Sequence, residues 1–84
     1  MQAPDWLTQR GASLKLSTDR VTWFVLFGHE PQYALVPRPA ENRFECCTRQ
    51  TINGELIPST ALYPTSEEAL RGGLDELRKH LGWI

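Results

Sequence analysis

A chain of 84 residues, 40% hydrophobic and 23% charged, describes one soluble globular domain: too short for a second domain and too apolar for a disordered chain. Its net charge of −1 gives no general attraction to nucleic acid or to an anionic membrane surface. No apolar run reaches the length of a membrane span, and the opening MQAPDWLTQR lacks a charged-then-apolar signal pattern. A cytoplasmic protein without membrane contact is the expectation. A chain this size buries only about 60–65% of its unfolded surface, so it needs most of its apolar side chains for the core.

Residues 1–11 form a polar N-terminal segment with one large apolar pair, Trp6 and Leu7. Asp5 is placed to cap a short helical turn there and Gly11 to end it. ASLKLS then alternates, with Ala12, Leu14 and Leu16 on one face, as a half-buried strand does. After the STDR turn comes VTWFVLF, rich in β-branched and aromatic residues. Val21, Trp23, Val25 and Phe27 share one face of this strand; Thr22, Phe24 and Leu26 share the other.

The GHEP turn leads to QYALV, a short third strand expected to stop at Pro37 and Pro39 or to lie at an edge, because proline cannot donate to a ladder. FECCTRQT is a fourth strand, with Phe44, Cys46 and Thr48 on one face and Glu45, Cys47 and Arg49 on the other. Adjacent strand cysteines point apart, so Cys46 and Cys47 are not expected to form a disulfide. Asn53-Gly54 is the strongest hairpin signal. Pro58 breaks the returning strand, which can resume at Ala61–Tyr63.

The last element has the clearest signature. Thr65 and Glu68 form a capping box, and Leu70, Leu74, Leu77 and Leu81 make one apolar stripe of a helix over 65–81. Glu67, Arg71, Asp75 and Lys79 alternate in sign on another side, and Gly82 is placed to stop the helix. Gly73 falls at the edge of the stripe, where a missing side chain permits close approach to a sheet. Gly72 falls on the charged side. It reads as tolerated there, or as required by something outside the domain.

Strands followed by one helix predict a single α+β domain over 1–84: an antiparallel meander of three to five strands over 12–63, with the C-terminal helix on one face. The expected core is Leu14, Leu16, Val21, Trp23, Val25, Phe27, Tyr33, Leu35, Phe44, Cys46, Leu70, Leu74, Leu77 and Leu81. VTWFVLF is apolar on both faces, and one helix shields one face. Burial favours Trp6 and Leu7 folding back across the second face; otherwise a partner covers it, either a second copy or another protein.

Chemistry-bearing patterns are sparse. Cys46-Cys47 lacks zinc-ligand spacing, and His29 and His80 lie far apart, so no metal or cofactor is expected. RGGL lies inside the helix and not before it, so it is no phosphate loop. Cys47 near Arg49 is a conceivable thiolate, and His29-Glu30 a conceivable acid–base pair, but an outward thiol and turn residues explain them as well. The expectation is a non-catalytic module that binds protein, or a second copy, through Phe24, Leu26 and Arg49 on the sheet face away from the helix. The alternative is nucleic-acid binding through Arg38, Arg43 and Arg49.

NGELIPSTALYPTSEEAL, with its capping Thr65 and Glu67-Glu68-Ala69, resembles the hairpin-to-helix join of AP2-type DNA-binding domains. The same helix start is similar to that of HicB-like antitoxins. The AP2 resemblance implies a three-stranded sheet in the major groove with a helix behind it. It covers about a quarter of the chain and rests mainly on a capping box. Pro58 interrupts the strand that should be regular, and Glu30, Glu41, Glu45 and Glu55 share the strand region with the arginines. No family is assigned on this basis.

Overall fold

A computed structural model describes residues 2–83, so the two terminal residues of the 1–84 domain reading lie outside it. Helix α1 (Asp5–Thr8) precedes strands β1 (Ala12–Leu16), β2 (Trp23–Phe27), β3 (Glu30–Ala40), β4 (Arg43–Gln50) and β5 (Leu56–Ile57), and helix α2 (Ser66–Leu81) closes the chain. The strands form one antiparallel sheet in the order β1-β2-β3-β4-β5. This is the predicted α+β meander, at the upper end of its strand count.

The register explains how β3 runs through its prolines. Expected as a short strand ending at Pro37, it is the longest, at 11 residues, and it sits in the middle of the sheet. Thr51 N donates to Gln32 O, so by the alternation of an antiparallel ladder the even-numbered residues of β3 bond to β4. Pro37 and Pro39 therefore turn their nitrogens toward β2. That strand ends at Trp23, opposite Leu35, so no ladder hydrogen bond is lost. The β3–β4 hairpin turns on Glu41 and Asn42, both at positive φ (50° and 63°) between the paired residues Ala40 and Arg43. Two consecutive residues at positive φ give the twist that a two-residue hairpin needs.

The Ser17–Thr22 turn explains one error in the expected core. The Asp19 carboxylate accepts hydrogen bonds from Val21 N and Thr22 N, both 2.9 Å, and from Thr22 Oγ1 at 2.8 Å. Val21 is thereby held in the turn, 53% exposed, and β2 starts only at Trp23. Leu16, also expected in the core, is half-exposed at the end of β1.

The face carrying Trp23, Val25, Tyr33, Leu35 and Cys46 meets α2, which packs over β3 and β4. Val25, Leu35, Leu70, Leu74 and Leu77 are at most 2% exposed. Leu14, Trp23, Phe27, Phe44 and Leu81 are half-buried against this cluster. Two residues outside the expected core are also fully buried in it, Leu7 and Ala69. Asp5 lies in the first turn of α1; Pro4 occupies the cap position and no side chain caps that helix. Helix α2 is capped as its sequence predicts: Glu68 N donates to Thr65 Oγ1 at 3.1 Å, and Gly82 is left-handed at φ 74°. Glu67–Arg71 and Asp75–Lys79 pair along its outer side.

Both glycines of α2 have packing reasons. A Cβ on Gly73 would stand 2.3 Å from Cys46 Sγ, the close approach that the leucine stripe implies. A Cβ on Gly72 would stand 2.1 Å from Tyr63 Cζ. Gly72 is therefore explained within the domain. It is neither idly tolerated nor reserved for an outside partner. Tyr63 is fixed there by a reciprocal backbone pair with Phe44, both bonds 2.8 Å, after β5 has stopped at Pro58. Burial and the nearby Glu76 carboxylate raise the Tyr63 phenol above its ordinary pKa.

The N-terminal segment does not cover the second sheet face. Leu7 joins the same core as α2, beside β1. The Trp6 ring meets Trp83 edge-on at 6.1 Å, and Trp83 meets Phe27 at 5.4 Å. Arg10 stands over the Trp83 ring at 4.7 Å, and Arg78 Nε donates to Trp83 O at 2.8 Å. The two chain ends thus complete the cover that α2 leaves unfinished over β1 and β2. The opposite face has no covering element among the described residues.

Candidate functional site

Alternation places Phe24 and Leu26 on the outer face because Trp23, Val25 and Phe27 point inward. The register then brings Lys15, Phe24, Ala34, Arg49 and Leu56 into one cross-strand row spanning all five strands. A second row sets Val36 opposite Cys47, and a third sets Arg38 opposite Glu45. Phe24, Leu26 and Arg49, predicted as a set from the sequence, share this face. The three arginines of the alternative reading share it too, with Arg43 at the tip of the β3–β4 hairpin.

Between these rows lies a hollow of about 290 Å³, lined by Thr22, Phe24, Ala34, Val36, Arg38, Cys47 and Arg49. Ala34 is its short floor residue, and the longer side chains around it are the walls. A neighbouring hollow of about 280 Å³ is lined by Lys15, Phe24, Leu26 and Pro31, with Leu16, Ser17 and Thr18. Leu56, at the edge of the sheet, is 53% exposed.

Charge is distributed unevenly. The outer face carries Lys15, Arg38, Arg43 and Arg49 against one carboxylate, Glu45, which leaves it three charges positive. The remaining five basic and nine acidic residues leave the rest of the chain four charges negative. Glu41 sits in the hairpin turn, Glu55 in the β4–β5 loop, and Glu30 opposite the inward-facing Phe27. The acids that the sequence scatters among the arginines are therefore mostly off this surface. Arg38 Nε donates to Glu45 Oε2, and this contact raises the Arg38 pKa further. Lys15, Arg43 and Arg49 form no ion pair among the described residues.

The two cysteines divide as the strand alternation requires. Cys46 is buried under α2, with Sγ 3.9 Å from Thr48 Oγ1, and Cys47 is half-exposed on the outer face. Burial pushes the Cys46 thiol up to about 11, against the opposing pull of the Thr48 hydrogen bond. His29 is exposed in the β2–β3 turn beside Glu30. Among the described residues no three His, Cys, Asp or Glu side chains cluster as metal ligands would, and no helix is long and apolar enough to cross a membrane.

Lys15 and Ala34 were not singled out as site residues by the sequence. Alternation puts Lys15 opposite the core face of β1, but its place beside Phe24 needed the β1–β2 register. The role of Ala34 as a floor needed the order of all the strands. Neither a protein-family model, nor a curated protein, nor a solved structure matches this chain. The five-stranded sheet also departs from the three strands that the AP2 resemblance implies.

Proposed function

We propose that this protein is a non-catalytic interaction module that holds a protein partner through the outer face of its sheet. The observation that supports this most is the pairing of Phe24 and Leu26 with Ala34, Val36 and Leu56 on a face that no element of the described chain covers. Apolar surface gathered in this way, with polar and charged side chains around it, is the usual character of a docking site. His29 and His80 are both exposed and neither lines the hollow at Cys47, so the thiol has no base beside it, which favours binding over catalysis as the reading.

The test is photo-crosslinking in cells from a benzoylphenylalanine placed at Leu26, with the same group at Arg71 on the far side of α2 as control. A discrete adduct from position 26 and none from position 71 is the expected result. Adducts from position 71 alone, or from neither position, would overturn the proposal.

A second reading, nucleic-acid binding through Arg38, Arg43 and Arg49, is favoured by one observation: the outer face is basic in a chain of net negative charge. In that case the adduct at position 26 disappears on nuclease treatment. Affinity also falls steeply with ionic strength as counterions are released.

A further inference from the structure

The row Lys15–Phe24–Ala34–Arg49 has a definite length and charge order. Neighbouring strands stand roughly 4.8 Å apart, so three spacings separate Lys15 from Arg49 by about 14 Å. An extended segment rises about 3.3 Å per residue and turns alternate side chains to one side, so positions i, i+2 and i+4 span about 13 Å on one face. We propose that the outer face takes an extended segment of a partner protein with the pattern acid–x–apolar–x–acid. The two carboxylates meet Lys15 and Arg49, and the apolar side chain enters between the Phe24 ring and the Ala34 floor. This rests on the reading of the outer face as the interaction surface.

Five observations select this occupant. The hollow at Ala34 has room for one large apolar side chain, and its walls include Phe24 and Val36. Lys15 and Arg49 flank Phe24 and Ala34 in the row and form no ion pair among the described residues, so incoming carboxylates displace no internal partner. A second copy fits poorly: face-to-face pairing sets a surface three charges positive against itself. Nor does this chain supply the segment. Its one pair of acids four apart, Glu41 and Glu45, has Arg43 between them. Nucleic acid fits less well than protein because the row offers a single aromatic ring, Phe24, where single-strand recognition relies on several aromatic stacking platforms.

The experiment is amide NMR mapping on the isotopically labelled full chain, with the peptide Ser-Asp-Thr-Leu-Thr-Asp-Ser as probe. Its lysine-for-aspartate and serine-for-leucine versions and an oligothymidylate serve as comparisons. The aspartate–leucine peptide is expected to move the signals of Lys15, Phe24, Ala34 and Arg49. Lys15→Glu/Arg49→Glu weakens binding roughly tenfold or more, by turning attraction into repulsion, and Ala34→Leu abolishes it by filling the hollow. Both changes lie on the outer face, and an unchanged inner-face spectrum shows that the fold is kept.

Equal binding of the lysine or serine peptide overturns the proposal. So does binding that survives Ala34→Leu, or an oligothymidylate that moves the same signals at lower concentration. If the aspartate–leucine peptide moves nothing while crosslinks from position 26 persist, the proposed segment is wrong and the interaction surface stands. If those crosslinks are absent as well, both readings fall.

Discussion

The Tyr63 ring lies directly on the backbone of Gly72, so close that a Cβ on the glycine would stand 2.1 Å from Cζ and 2.2 Å from the phenol oxygen. Alanine is favoured over glycine in a helix interior by about 1 kcal/mol, but here the methyl group must displace the Tyr63 ring, which extends from a backbone anchored to Phe44. Overpacking typically costs about 1–3 kcal/mol, so Gly72→Ala is expected to be net destabilising. In a Tyr63→Ala background the obstacle is gone, and Gly72→Ala becomes stabilising by up to about 1 kcal/mol. Urea denaturation of the four proteins of this cycle reads the change of sign.

Gly72 also shows where the sequence stops being informative. Its position on the helix follows from a 100° turn per residue, which correctly puts Gly73 against the sheet. What covers Gly72 is Tyr63, from a segment with irregular backbone whose path follows no periodicity. The same division runs through the rest of the molecule. The alternation in VTWFVLF separates Phe24 and Leu26 from the core, and the leucine stripe of α2 identifies the covered face. Both patterns are local. The length of β3 and the companions of Phe24 depend on register, which side-chain preference states weakly. Pro37 and Pro39 are acceptable in a central strand only because β2 has already ended opposite Leu35. That condition involves another part of the chain. Val21 failed for a local reason instead: its amide bonds to the Asp19 carboxylate two residues earlier, and that turn chemistry overrides the strand preference of a β-branched residue.

Cys46 and Cys47 are neighbours in sequence with unlike chemistry. A thiol alkylates as thiolate, and burial raises the Cys46 pKa to about 11 while also denying access. Iodoacetamide at neutral pH is expected to modify Cys47 in the folded protein and to reach Cys46 only on unfolding. Peptide mass mapping after a timed exposure distinguishes the two sites through the Cys47→Ser and Cys46→Ala variants. Equal rates at both sites in the folded chain would contradict the burial of Cys46 under α2.

Asp19 ties its turn to pH. Its carboxylate accepts bonds from Val21 N, Thr22 N and Thr22 Oγ1, and these lower its pKa from the ordinary 3.8. A folded-state pKa below the unfolded one means that the unfolded chain binds more protons in acid. The contribution is fully present above about pH 4 and is lost as pH falls through the depressed folded value. Asp19→Ala should therefore be less stable than the parent at neutral pH, with the difference shrinking on acidification below the unfolded pKa. Thermal melts of both proteins across pH 2 to 7 test this. A difference independent of pH would remove the carboxylate from the account.

Val25 and Leu26 are adjacent residues that test the two faces of β2 independently. Val25 is 0% exposed beneath α2, so Val25→Ala removes buried methyl groups and leaves a void; the expected cost is about 2 kcal/mol or more. Leu26 lies half-exposed beside Phe24 on the outer face, and Leu26→Thr keeps a residue that suits a strand. Its expected effect on the isolated protein is within about 0.5 kcal/mol, as for surface sites in general. The contrast separates a face open to a partner from a face closed by the chain itself. If the N-terminal segment lay across Phe24 and Leu26, both substitutions would be costly, and Trp6→Ala would make Leu26→Thr milder. With Trp6 against Trp83 on the inner side, Trp6→Ala and Leu26→Thr are expected to add independently in denaturant melts. Coupling between them would place the N-terminus on the outer face and leave no surface there for a partner.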